Sequence, residues 1–217
     1  PITNIRYAVQ LYQMKIARGL FDLESTQALL DNILSQTTRI GALLARFRPI
    51  VSSKSKEEFF SIKECAGDVI NDLSNRLALQ SISHSIEGDS PIEIYGDKVQ
   101  FSQVFYNLVL NSMQAMTKAG DIKIKLFQDR NQISLYFSDT GPGILPENQQ
   151  KVFEPFFSTK DPTADNGGEG LGLFIVWNII KMFNGTIVVD SRYHNGAKFI
   201  IKIPVQEVNK NEPRINN

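Results

Sequence analysis

The sequence predicts an α+β protein: an N-terminal antiparallel helical hairpin that forms a four-helix bundle on dimerisation, then an α/β sandwich domain with a mixed sheet. Three observations predict it. Apolar residues recur at alternating spacings of 3 and 4 through the first 48 positions. From residue 59 onward, short strand-like runs interleave with helical stretches, and turn-forming Gly, Asn and Asp separate the paired strands.

The hairpin comes first. Residues 2–18 place Ile2, Ile5, Val9, Tyr12 and Ile16 on one stripe, and residues 22–48 do the same with Thr26, Leu30, Ile33, Thr37, Ile40, Leu44 and Phe47. A 3/4 alternation keeps all members on one helix face, the pattern of a bundle core. Gly19 closes the first helix and Asp22 or Ser25 caps the second. Two helices alone leave much of such a stripe in water, so two copies are expected to pair into a homodimer. Packing of the hairpin on its own chain is the competing reading.

Pro49 is expected to stop the second helix, ahead of polar Ser52 to Lys56. The boundaries read as 1–53 for the hairpin, 54–58 for a linker, 59–205 for the second domain and 206–217 for a flexible tail. Within the second domain, strands are expected at 59–62, 82–87, 92–95, 122–127, 133–137, 186–191 and 197–203, all in one mixed sheet. Helices are expected at 63–79, 97–118, 147–153 and 171–183. The stretch 97–118 carries the core stripe Phe101, Val104, Phe105, Leu108, Val109 and Met113.

Composition narrows the function. Lys plus Arg number 23 and Asp plus Glu number 23, so the chain lacks the basic excess that phosphate-backbone binding needs, and no nucleic-acid partner is expected. The single cysteine, Cys65, allows no internal disulfide, no Cys/His cluster has zinc spacing, and a reducing cytoplasmic location is expected. No apolar run is long enough for a membrane span, so no membrane contact is expected of this stretch. The chain starts at Pro1 without a leader and reads as a piece of a longer protein, in which an upstream segment could provide a membrane anchor.

Four motifs in the second domain carry chemistry. Asn107-Leu-Val-Leu-Asn111 puts two carboxamides one helical turn apart on one face. They are either hydrogen-bonded core amides or oxygen donors to a hard cation such as Mg²⁺, which uses few protein oxygens. Asp139-Thr-Gly141-Pro-Gly143 follows a strand. It is either an ordinary turn or a carboxylate that accepts from an exocyclic amine, beside glycines that let a flat ligand approach. Phe153-Glu-Pro-Phe156-Phe157-Ser-Thr-Lys160 reads as core packing or as the anchor of a loop. Gly167-Gly168-Glu-Gly170-Leu171-Gly172 opens a helix, where free N–H groups attract phosphate. Its spacing matches neither the dinucleotide fingerprint nor the P-loop.

Taken in this order, the four motifs resemble the N, G1, F and G2 boxes of sensor histidine kinases of two-component signal transduction. The catalytic domain of those kinases belongs with gyrase, chaperone and mismatch-repair ATPases. The resemblance spans 57–205, and the hairpin resembles the dimerisation and histidine-phosphotransfer domain. It implies an ATP-binding phosphoprotein that uses ATP and Mg²⁺. Asn111 would hold the metal, and Asn107 would occupy the catalytic position and assist at the phosphates. Asp139 would take the adenine amine in a pocket shaped by Gly141 and Gly143. Gly168, Gly170, Leu171 and Gly172 would approach the phosphates and Lys160 would reach one, while Phe156 and Phe157 would seat a lid over 158–169. The implied reaction moves the γ-phosphoryl of ATP to a His, then to an Asp of a response-regulator receiver domain, the partner expected besides a second copy.

One position separates kinases from the hydrolytic branch. Hydrolytic members of the superfamily place a Glu four residues before the metal-binding Asn. Here Asn107 stands there, and a carboxamide is no general base at neutral pH. A gyrase- or chaperone-like ATPase and a non-catalytic dimeric interaction module are the alternatives. The family's acceptor His falls five residues upstream of Pro1, outside this chain, so this stretch is expected to bind Mg-ATP without phosphorylating itself. His84 and His194 are expected to be structural or solvent-facing.

Overall fold

The chain divides into two units, Pro1–Ser53 and Lys54–Asn217. A computed structural model describes residues 2–20, 22–51, 56–88, 91–116, 118–160 and 170–205, the side chains of 2, 4 and 38–51 excepted. Residues 52–55, which include the first two of the expected linker 54–58, and the tail 206–217 lie outside the described residues, while Glu57 and Glu58 of that linker already belong to a strand.

In the first unit, α1 spans Ile2–Ala17 and α2 spans Leu23–Val51. The Tyr12 hydroxyl meets Thr26 Oγ1, and Lys15 Nζ donates to Ser25 Oγ at 3.1 Å. Partners that advance along one helix while receding along the other make the pair antiparallel. At the start of α2, the Ser25 hydroxyl and backbone N–H donate to the Asp22 carboxylate at 2.6 and 2.5 Å, which holds that carboxyl below its ordinary range. The helix does not stop at Pro49 but runs on to Val51. A proline in a last turn forfeits one helical bond, and its fixed φ is already helical.

The second unit runs β1 (Glu57–Ser61), α3 (Ile62–Leu79), β2 (Ile82–Gly88), β3 (Glu93–Asp97), α4 (Lys98–Ala115), β4 (Gly120–Gln128), β5 (Gln132–Asp139), α5 (Gly172–Met182), β6 (Thr186–Val189) and β7 (Lys198–Pro204). Five strands make a mixed sheet in the order β2-β4-β5-β7-β6, parallel only between β2 and β4. Strands β1 and β3 do not join it; they pair with each other as an antiparallel ribbon, a departure from the single sheet expected. In that register Phe59 faces Tyr95 ring to ring at 5.2 Å, while Phe60 turns inward onto Phe101 and Phe183. The stretch 147–153, expected as a helix, forms two short 3₁₀ turns, Pro146–Asn148 and Lys151–Phe153. Strand β6 stops at Val189, two residues short of the expected end.

Period-two alternation builds the core. Ile122, Ile124 and Leu126 of β4, Ile133, Leu135 and Phe137 of β5, and Phe199, Ile201 and Ile203 of β7 are buried. The helices lie over that face. Helix α4 buries Phe101, Val104, Phe105, Leu108, Val109 and Met113, all of its expected stripe. Capping fixes where the helices begin: Ser61 Oγ accepts from Glu64 N at 3.2 Å on α3, and Asp97 Oδ1 accepts from Val99 N at 2.8 Å and Gln100 N at 3.1 Å on α4. These caps set the rotation of α4, on which the site depends.

Cys65 is buried in α3, with its Sγ 3.0 Å from Ser102 Oγ, and burial pushes its thiol up to about 11. At pH 8 about one such thiol in a thousand is ionised, and the thiolate is the reactive form. Native protein is therefore expected to resist iodoacetamide at pH 8 and to react fully once unfolded, read by mass spectrometry. Rapid native labelling would contradict this burial.

Candidate functional site

Helix α4 carries side chains toward both ends of the site. Asn107 is buried, and its Nδ2 donates to Gln103 O at 2.9 Å on its own helix. Its Oδ1 points toward the start of α5: a Cβ added at Gly172 would lie 3.6 Å from it, and 3.4 Å from both Nδ2 and Oδ1 of Asn111. Asn107, Asn111 and Gly172 thus come together. Asn111 is half-buried. The N-cap of α5, Leu171, supplies no side-chain hydrogen bond, so no capping side chain competes with an anion for the N–H groups of the first turn. The Leu171 side chain is buried in the core, which leaves only its backbone to face a ligand.

At the other end stands Asp139, the last residue of β5, only 4% exposed. Its Oδ1 accepts from Gly141 N at 2.9 Å and from Ala197 N at 3.1 Å, and its Oδ2 accepts from the Ser112 hydroxyl at 2.6 Å. Burying a carboxylate is costly unless it is hydrogen-bonded, and three separate elements supply the bonds. Gly141 lies over the end of α4, where an added Cβ would meet Met116 Cγ at 3.4 Å and Ala115 Cβ at 3.7 Å. At Gly143 an added Cβ would meet Gly196 O at 3.0 Å, so the loop after β5 sits directly on the turn before β7.

Glycine is indispensable at two places. Gly196, at φ +137, passes so close to Asp139 that an added Cβ would lie 2.0 Å from the Asp139 carbonyl oxygen. Gly170, at φ +69, leaves 2.4 Å between such a Cβ and the Phe156 backbone carbon. In sequence, Asn195-Gly196 reads as a plain hairpin turn between the last two strands. The structure makes Gly196, the Ala197 N–H and Ser112 parts of the Asp139 setting. No local signal marks them, because the partners lie 27 and 58 residues away in sequence.

The remaining candidates separate. Lys160 Nζ donates to Gln114 Oε1 at 2.7 Å, one turn beyond Asn111, and burial holds its ammonium below the ordinary range. Phe156 does not seat anything among the described residues: it is 71% exposed, in a left-handed backbone at φ +66. The anchor is Phe153, whose ring meets Phe199 at 6.3 Å. Gly168 and the expected lid residues 161–169 lie outside the described residues. His84 on β2 and His194 in the loop before β7 are both exposed.

The donor set suits a hard cation held lightly. No group of three His, Cys, Asp or Glu side chains among the described residues could cage a metal. The neutral oxygen of Asn111 fits Mg²⁺, which keeps waters and takes phosphate oxygens instead of needing a full protein cage.

The family model for histidine kinase-, DNA gyrase B- and HSP90-like ATPases matches residues 96–207, and the chain belongs to that family. Sporulation kinase A of Bacillus subtilis (strain 168) is 30% identical over 208 residues, covering 94% of this chain and 32% of that kinase. The chain spans about a third or less of the curated relatives it matches. Among solved structures, the catalytic domain of histidine kinase ThkA is 30% identical with a TM-score of 0.61, over 69% of this chain and 97% of that one. The fold extends to ThkA in complex with the response regulator protein TrrA, at 23% identity and a TM-score of 0.64 over 94% of this chain and 60% of that one. Fold and family together define a histidine kinase catalytic core, the ATP-binding part of two-component signalling.

Proposed function

We propose that this core, in its whole protein, transfers the γ-phosphoryl of ATP to a histidine and thence to an aspartate of a response-regulator receiver. The carrying observation is the pair of settings along α4: a buried, hydrogen-bonded carboxylate at the end of β5 held by Ser112, and two carboxamides of α4 facing a start of α5 that has no side-chain cap. Asp139 accepts from the adenine 6-amino group, with Gly141 and Gly143 framing the base. The N–H groups of the α5 start, together with Gly168, Gly170, Leu171 and Gly172, receive the phosphates, and Lys160 is close enough to α4 to join them. Asn111 holds Mg²⁺, which when bound offsets phosphate charge. Asn107, with its Nδ2 spent on Gln103 O, has no basic atom with which to activate water. Positioning and charge neutralisation therefore carry the reaction, and the γ-phosphoryl is left for an imidazole.

Neither His84 nor His194 is read as that imidazole: both are exposed, one on β2 and the other in the turn before β7. The hairpin is the dimerisation element. Tyr7, Met14, Leu20, Leu23, Leu30 and Leu34 are all more than half exposed on it, and a second hairpin would cover such side chains. Among the described residues no helix is long and apolar enough to cross a membrane. The core works in the cytoplasm, where ATP is, whatever anchor the whole protein carries.

Calorimetric titration with a non-hydrolysable ATP analogue and Mg²⁺ tests the site. Asp139→Ala and Asn111→Ala are each expected to weaken binding at least ~10-fold, about 1.4 kcal/mol, and wild-type affinity in both would refute it. With γ-labelled ATP, this chain is expected to take up no acid-labile label and to turn over slowly. Label on His84 or His194 would overturn the placing of the acceptor outside this chain, and fast steady-state hydrolysis would overturn the kinase reading in favour of an ATPase. In sedimentation at micromolar concentration a dimer is expected, and a strictly monomeric species would remove the bundle.

A further inference from the structure

Ser112 follows the metal-side Asn111 in sequence, yet its hydroxyl serves the opposite end of the site. It is 1% exposed, and its Oγ lies 2.6 Å from Asp139 Oδ2, the short distance of a hydroxyl donating to a carboxylate. We propose that Ser112 is the positioning residue that aims Asp139 at the 6-amino group of the purine, so that selectivity for the base depends on this hydroxyl. The inference rests on the reading of Asp139 as the adenine contact.

Counting lone pairs carries the argument. A carboxylate offers about four acceptor positions. Oδ1 spends its two on the N–H groups of Gly141 and Ala197, and Oδ2 spends one on Ser112. One acceptor on Oδ2 is left. It suits a single N–H of an exocyclic amine and repels a carbonyl oxygen, which is what guanine presents at the same ring position. The only proton of the Ser112 hydroxyl is committed to Asp139, so Ser112 offers that carbonyl no donor either. Two of the three bonds come from backbone and pin Oδ1 alone. Ser112 is the one side chain among the described residues that fixes Oδ2, the oxygen that meets the ligand. Without it, Oδ2 has two open positions and the carboxylate plane loses its third point of attachment.

The test is a cycle between one side chain and one ligand group, because coupling between them isolates their interaction from general damage. Affinities of this chain for ATP and for purine riboside triphosphate, which lacks the 6-amino group, are measured for the wild type, Ser112→Ala and Asp139→Asn, with thermal melting alongside. Ser112→Ala is expected to weaken ATP binding ~5- to 10-fold, on the scale of one ordinary net hydrogen bond. It should change binding of the amine-less nucleotide less than about twofold, so that the preference for ATP shrinks. Equal losses for both nucleotides would mean a merely structural role and would overturn the inference, as would an unchanged preference. If the wild type binds both nucleotides equally, the adenine reading of Asp139 itself falls. If Asp139→Asn abolishes the preference while Ser112→Ala keeps it, only the role of Ser112 falls.

Discussion

A single buried carboxylate organises the ligand end of this domain. Asp139 closes strand β5 inside the protein, and a charge there persists only if donors surround it. Hydrogen bonds to a charged group contribute about 1.5–3 kcal/mol each, enough for three of them to dictate local geometry. The donors come from helix α4, from the loop after β5 and from the first residue before β7. Meeting all three requires α4 to present Ser112 inward, Gly141 to turn back over the helix, and Gly196 to press against the strand end. The shape of this end of the domain follows from satisfying one side chain.

The same helix transmits that constraint to Asn111 and the start of α5. Asn111 and Ser112 are neighbours about 100° apart around α4, so a rotation that spoils the Asp139 bond also turns Asn111 away from the start of α5. The aromatic packing of Phe101 against Phe60 of β1 and Phe183 after α5 resists such a rotation. Packing far from the ligand therefore bears on both of its ends at once.

Much of this was legible in the sequence, for reasons that also explain the rest. The apolar stripe of α4 and the alternation in β4, β5 and β7 are local periodicities, and they give the helix face and the buried sheet face directly. Asn107 and Asn111 share a face by spacing alone, and Asp139 stands at a strand end by position alone. The ribbon of β1 and β3 was not legible, because pairing Glu57 with Asp97 is a choice between partners 40 residues apart. Ser112 and the Ala197 N–H were hidden for the same reason. The three clustered aromatics look alike in sequence, yet Phe156 is exposed in a left-handed backbone and Phe153 packs on Phe199, while lid residues 161–169 lie outside the described residues. Pro49 misled because a proline in a final turn costs a helix far less than one in its middle.

The start of α5 shows a choice between rigidity and reception. An N-cap serine or aspartate would fold its own oxygen over the first turn, at the cost of the core packing that buried Leu171 makes. It would also occupy the donors that an incoming anion needs. The buried leucine leaves them without a side-chain cap. On the proposed reading, a nucleotide phosphate would act as the missing cap, and part of its binding energy would go into finishing the fold.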